Sequence, residues 1–227
     1  MNFENICYFK EECFLSYKLL NKENIQNVLD TLVKTYPDVK CGLDYNTPFE
    51  LIISLILAAQ CTDKRVNIIR PIFTDRYPSP LEMSKLELNE IYSYIKSCSF
   101  PNNKAKHIVE ASKKIVNDFN GQVPNTMKEL TSLPGIGRKS ANIILQECFN
   151  KTEGIAVDTH VTRITRKMGF SNGNTQEQIE NELMKRIPKE HWNKINHVLV
   201  NHGRKFCIAR RPNCDDCPIN PLCPKND

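Results

Sequence analysis

The chain is 227 residues long, with 40% hydrophobic and 25% charged residues and a formal net charge of +5. That length suits one large domain or two intertwined small ones, and the composition excludes a disordered or fibrous chain. The charge is segregated: residues 100–212 hold 19 Lys and Arg against 10 Asp and Glu, whereas residues 1–99 hold 11 against 13. Such segregation points the middle and late part of the chain toward a polyanionic partner.

The opening segment, MNFENICYFKEECFLSYKLL, is broken by Glu4, Lys10, Glu11 and Glu12 and lacks the apolar run of a signal peptide. Residues 1–20, with Cys7 and Cys13, read as an extension to the fold. From residue 24, Ile25, Val28, Leu29, Leu32 and Val33 recur at helical spacing until Pro37 stops the run. At 47–50, Thr47 reads as an N-cap, Pro48 as the first helical residue and Glu50 as the capping-box partner. The run that follows, FELIISLILAAQ, is apolar on nearly all sides and reads as the central buried helix. It is far shorter than the roughly 20 residues that span a bilayer, so no membrane partner is expected. The accompanying expectation is a monomeric cytoplasmic protein, on the nucleoid if bacterial. Gln60, the polar residue that ends the run, is either a helix-end amide or a group held for a partner.

Further helices are expected near 62–75, 82–97, 103–118, 126–132, 138–149, 159–168, 175–187 and 190–203. The joints between them are short and carry Pro or Gly, as in RYPSP, NGQVPN, LPGIG and FSNGN. No alternating run of strand length stands out. The expected fold class is all-α, with roughly ten helices.

The stretch NTMKELTSLPGIGRKSANIILQECF carries the first chemistry. Thr126 and Glu129 form a capping-box pair, and Met127, Leu130 and Leu133 lie along one side of a short helix. A second helix presents Ala141, Ile144, Leu145 and Cys148 as its apolar stripe. Two helices joined through PGIG, with Ile136 pinned between them, make a helix-hairpin-helix. Gly135 and Gly137 leave their amides unshielded beside a helix N-terminus, which suits one phosphate oxygen and grips DNA without reading its sequence. Lys139 opposes the dipole of the helix it starts, and burial there would lower its basicity. It is therefore either a solvated cation beside phosphate or an amine nucleophile that forms a Schiff base. Asp158, in GIAVDTHVTRI, reads first as the N-cap of the next helix.

Ten cysteines in a chain without an export signal argue against a disulfide framework. Four of them, Cys207, Cys214, Cys217 and Cys223, are separated by six, two and five residues. Four thiolates in one short loop enclose a metal centre, and the spacing suits tetrahedral zinc and a 4Fe-4S cluster alike.

LPGIGRKSAN, then AVDTHVTRITRKMGF, then the C-x6-C-x2-C-x5-C cluster, resemble in order and spacing the endonuclease III family of DNA base-excision glycosylases, over about residues 24–224. The resemblance implies a helix-hairpin-helix DNA glycosylase fold of two lobes. A six-helix barrel over 42–152 would face an iron–sulfur lobe made of 21–41 and 153–227, with the active site between them. It implies Lys139 as nucleophile, Asp158 as its catalytic partner, and a 4Fe-4S cluster on the four cysteines. It also implies Gln60 as the amide facing the orphaned base and Phe100 as the wedge. Around Phe100 the chain departs from the family pattern, having Ser99, Phe100 and Pro101 where glycine, an apolar residue and tyrosine are usual. Gly135, Gly137, Arg138, Arg163, Arg210 and Arg211 complete the expected contacts to double-stranded DNA carrying a damaged base or abasic site. The implied activity is excision of oxidised pyrimidines followed by β-elimination 3′ of the abasic site. Two other readings are a monofunctional mismatch or uracil glycosylase using Asp158 and water, and a non-catalytic DNA-binding module with a zinc-stabilised tail.

Overall fold

A computed structural model describes residues 18–226. The expected extension, with Cys7 and Cys13, lies outside the described residues except for its last three. Two of those are fastened: Leu20 N donates to Gly169 O at 2.9 Å, Lys18 N donates to Asn226 Oδ1 at 3.1 Å, and Arg186 donates to Leu20 O.

Eleven α-helices and no strand are found among the described residues. They are α1 (Lys22–Thr35), α2 (Pro48–Ala58), α3 (Asp63–Thr74), α4 (Pro80–Met83), α5 (Leu88–Ile95), α6 (Pro101–Asp118), α7 (Met127–Thr131), α8 (Arg138–Phe149), α9 (Thr159–Lys167), α10 (Gln176–Arg186) and α11 (Trp192–Lys205). None is long and apolar enough to cross a membrane. Local chemistry sets most of the starts: Asn21, Thr47, Thr62, Ser79, Thr126, Asp158 and Thr175 each cap a helix with a side-chain oxygen.

Two sequence expectations are corrected. The single helix near 82–97 is two, because Ser79 and Glu82 close a full capping box that starts α4 at Pro80, and a second start at Leu88 follows Glu87. Glu50 does not return to Thr47. Its Oε2 accepts from Asn46 N at 2.8 Å and from buried Arg70 at 2.7 Å, tying α2 to α3.

Buried side chains form two apolar clusters. The first surrounds α2, whose Leu51, Ile52, Ile53 and Leu57 are fully buried against Phe73, Met83, Ile91, Ile108 and Ile144. The second joins Val28, Leu29 and Leu32 of α1 to Val161 and Ile164 of α9, Ile179 and Leu183 of α10 and Leu199 of α11. From residue 18 the chain thus starts in one cluster, builds the other with α2–α8, and returns. The crossing is legible at 155–157: Ile155 and Val157 point into the second cluster, while Ala156 points into the first. Alternation is what extended backbone does with side chains. It delivers Asp158 to the seam between the clusters.

Candidate active site

The hairpin is built by α7, the turn 132–137 and α8. Ile136 N donates to Leu133 O at 3.1 Å, and the Ile136 side chain is buried, which pins the turn to the first cluster. Gly135 has φ +81, and a Cβ there would sit 3.1 Å from His107, so this position demands glycine twice over. Gly137 caps α8 without a side chain, its carbonyl accepting from Ala141 N at 2.9 Å. Both glycines are exposed. Their amides donate to nothing among the described residues, so they and the positive end of α8 form a ready anion cradle.

Arg138 is directed back into the protein. Its Nε and Nη2 reach Glu180 at 2.6 and 3.2 Å, and Asn142 Nδ2 donates to the same carboxylate at 2.9 Å. Glu180 is buried, and a Cβ on Gly154 would meet its Oε1 at 2.1 Å. This clamp fixes the start of α8 on α10 and so fixes the backbone of Lys139.

Lys139 and Asp158 line one cleft of about 180 Å³, together with Cys41, Asp63, Asn196 and His197. Lys139 is half-buried, and its Nζ has no hydrogen bond or ion pair among the described residues. Asp158 Oδ1 accepts from Val161 N at 2.9 Å, the N-cap bond expected from sequence. One oxygen is thereby spent and the carboxylate's orientation set. Burial pushes the Cys41 thiol up to about 11, so a protonated thiol rather than a competing thiolate shares the cleft with Lys139.

Gln60 and Phe100 come together 40 residues apart in the chain. Both are exposed and both adopt left-handed backbone, at φ 53 and 54. Such conformations cost a non-glycine residue about 1 kcal/mol or more and persist where the surroundings impose them. Here Ser99 Oγ donates to Gln60 O at 2.7 Å, and buried Lys104 donates to Leu57 O at 2.7 Å, capping α2 from α6. Phe100 is 59% exposed and immediately precedes α6, so it takes no part in the core.

Cys207, Cys214, Cys217 and Cys223 line one apolar pocket with Met168, Phe206 and Ile219. Asn220 N donates to Cys217 O at 2.9 Å and closes the turn that follows this cysteine. Arg163 is turned toward this loop: its Nη1 meets Cys207 O at 2.5 Å and Cys207 Sγ at 3.6 Å. Arg210 and Arg211 are exposed on the loop between the first two cysteines.

Sequence reasoning missed several cleft residues. Arg204 Nη2 bonds Asp63 Oδ2 at 2.8 Å and joins the two sides of the cleft. Asn196 donates to Ala156 O at 2.7 Å and His197 faces Glu147, both from α11. The only trace of them in the sequence is a polar face on α11 in NKINHVLVNHGR.

All-α among the described residues, with a glycine hairpin leading into the helix whose lysine shares a cleft with a capping aspartate, the chain has the makings of a helix-hairpin-helix base-excision protein. A family model described as "HhH-GPD superfamily base excision DNA repair protein" matches residues 53–189. Within that superfamily the chain belongs to the endonuclease III family. It is 42% identical to Endonuclease III of Synechocystis sp. over 89% of this chain and 93% of that one. It is 36% identical to Endonuclease III of Escherichia coli over 90% and 96%. A trapped Endonuclease III–DNA covalent intermediate superposes with a TM-score of 0.87 at 37% identity, covering 92% of this chain and 98% of the other. A thermostable thymine-DNA glycosylase shares the fold at a TM-score of 0.80 and 21% identity.

Proposed function

We propose that this protein is a bifunctional DNA glycosylase and AP lyase that excises oxidised pyrimidines from duplex DNA in base-excision repair. The observation that carries this is the sharing of one cleft by Lys139 and Asp158 at the seam of the two clusters. Removing a base requires the nucleotide to leave the stack, and the cleft beside the hairpin is where an extruded sugar would meet an amine. In this reading the amides of Gly135 and Gly137 hold a phosphate while Arg138 braces the hairpin. Gln60 faces the orphaned base and Phe100 wedges into the stack; Arg210 and Arg211 meet backbone phosphates.

Lys139 attacks C1′ and the base departs with the electron pair of the broken bond. Asp158 stabilises positive charge developing on the sugar and accepts protons from the lysine adduct. The resulting Schiff base acidifies C2′, and β-elimination cuts the strand on the 3′ side. We divide the chain into a barrel lobe over 42–152 and a second lobe of 21–41 with 153–227.

We assign a 4Fe-4S cluster to the four cysteines. Their common apolar pocket suits a thiolate-held cluster. When bound it supplies order to the loop carrying Arg210 and Arg211 and no part of base removal.

Borohydride reduction of the Schiff base gives the test. Wild-type protein mixed with duplex containing an abasic site should be trapped as a covalent protein–DNA adduct, and Lys139→Gln should give none. A Lys139→Gln protein that still trapped would refute the assignment.

A further inference from the structure

A second cavity, of about 330 Å³, lies beside the catalytic cleft, and the two share Lys40, Cys41 and His197 as lining residues. His197 therefore stands at the junction between them. Behind it is a half-buried polar chain that the reaction described above does not use. Glu147 Oε2 accepts from the Tyr45 hydroxyl at 2.7 Å, and Glu147 Oε1 lies 3.1 Å from His197 Nε2. The His197 side chain is 11% exposed and that of Glu147 22%. The hydrogen bond from His197, with a further one from Tyr45, outweighs burial and holds the Glu147 carboxyl below the usual carboxylate range.

An ionised carboxylate only accepts hydrogen bonds, so both neighbours must donate and the proton on His197 is assigned to Nε2. A second proton on the ring can then sit only on Nδ1, the nitrogen turned away from Glu147. Nδ1 has no hydrogen-bond partner among the described residues. An oriented imidazole that borders the cleft of Lys139 and Asp158, with Nδ1 free to carry a proton, is the arrangement of a general acid.

We propose that His197, oriented by Glu147 and Tyr45, is the acid that protonates the departing base. The bond that breaks is C1′–N1, as the Lys139 nitrogen bonds to C1′. Its electron pair leaves with the base, and the His197 Nδ1 proton neutralises that charge on a ring carbonyl oxygen. Water then returns a proton to the imidazole. This rests on Lys139 and Asp158 being the catalytic pair. It adds a residue that acts on the base and has nothing to act on once the base is gone.

The test compares two reactions of the same protein under single-turnover conditions. One is excision of two modified pyrimidines from duplex DNA: one carries an electron-withdrawing 5-substituent, making N1 more acidic, and the other is saturated across C5–C6. The other is strand cleavage at a preformed abasic site. For His197→Gln, excision should fall about a hundredfold more than abasic-site cleavage, and further for the base with the less acidic N1. Glu147→Gln, which keeps the shape and the Tyr45 contact, should show the same pattern at about tenfold. Equal losses in both reactions, or equal losses for both bases, would overturn the proposal. If His197→Gln does not fold, Glu147→Gln decides by the same ratios. A wild-type protein that does not trap on abasic DNA would instead overturn the Lys139 reading.

Discussion

Asp158 caps α9 with one oxygen, Oδ1 to Val161 N at 2.9 Å, and lines the cleft that holds Lys139. Two substitutions separate these jobs. Asparagine is as good an N-cap as aspartate, so Asp158→Asn should change stability by only a few tenths of a kcal/mol while base excision collapses. Asp158→Ala should lose the same activity and about 1 kcal/mol of stability besides. Thermal unfolding beside single-turnover excision checks both; an Asp158→Asn protein that kept full activity would leave the aspartate a cap and nothing more. The capping role was legible in VDTH because it is local, three residues from oxygen to amide. The meeting with Lys139 was not legible from spacing, since nothing between residues 139 and 158 encodes how the chain crosses from one cluster to the other. Only the resemblance to a known family paired them beforehand. His197 and Arg204 had no such help, and a lone histidine on a helix gives no sign of the glutamate it will face.

At the scale of the element, the hairpin shows how one motif uses two glycines for different reasons. Gly135 needs positive φ and has His107 at 3.1 Å from where a Cβ would lie; Gly137 has ordinary φ and open space around it. Gly135→Ala should therefore cost about 1–2 kcal/mol of stability as well as DNA affinity. Gly137→Ala should cost only a few tenths of stability while weakening DNA binding, because the added methyl stands where the phosphate approaches. Chemical denaturation and binding to an undamaged duplex measure the two effects. If Gly137→Ala bound as tightly as wild type, the phosphate would have to sit elsewhere. Helices were the most legible feature of the sequence, since apolar spacing and capping residues both act within a turn or two. The expectation failed where local signals competed. Glu50 had a helix amide within reach but found buried Arg70, and the Ser79–Glu82 box broke a continuous apolar pattern into α4 and α5. In each case a contact or cap with better geometry won over the nearest one.

At the scale of the whole molecule, folding decides where the positive charge goes. The excess over residues 100–212 pointed to nucleic acid, but charge by itself does not say which arginines are available. Folding sorts them. Arg138, though half-exposed, is paired with Glu180, and Arg163 with the carbonyl and sulfur of Cys207, whereas Arg210 and Arg211 are exposed on the cysteine loop without an ion pair among the described residues. Each side chain that neutralises a phosphate contributes about 0.9 to the dependence of log K on log salt, because it releases condensed counterions. Replacing both Arg210 and Arg211 by alanine should therefore flatten that slope by just under two, roughly, and do so equally for damaged and undamaged duplex. Arg163→Gln should behave differently. It removes a donor from the loop that holds the cysteines, so thermal stability should fall while the salt slope stays at the wild-type value. Titrations at four or five salt concentrations resolve the difference. A steep drop in slope for Arg163→Gln, with none for the double variant, would put the DNA across α9 instead of the cysteine loop and would reverse the division of labour among these arginines.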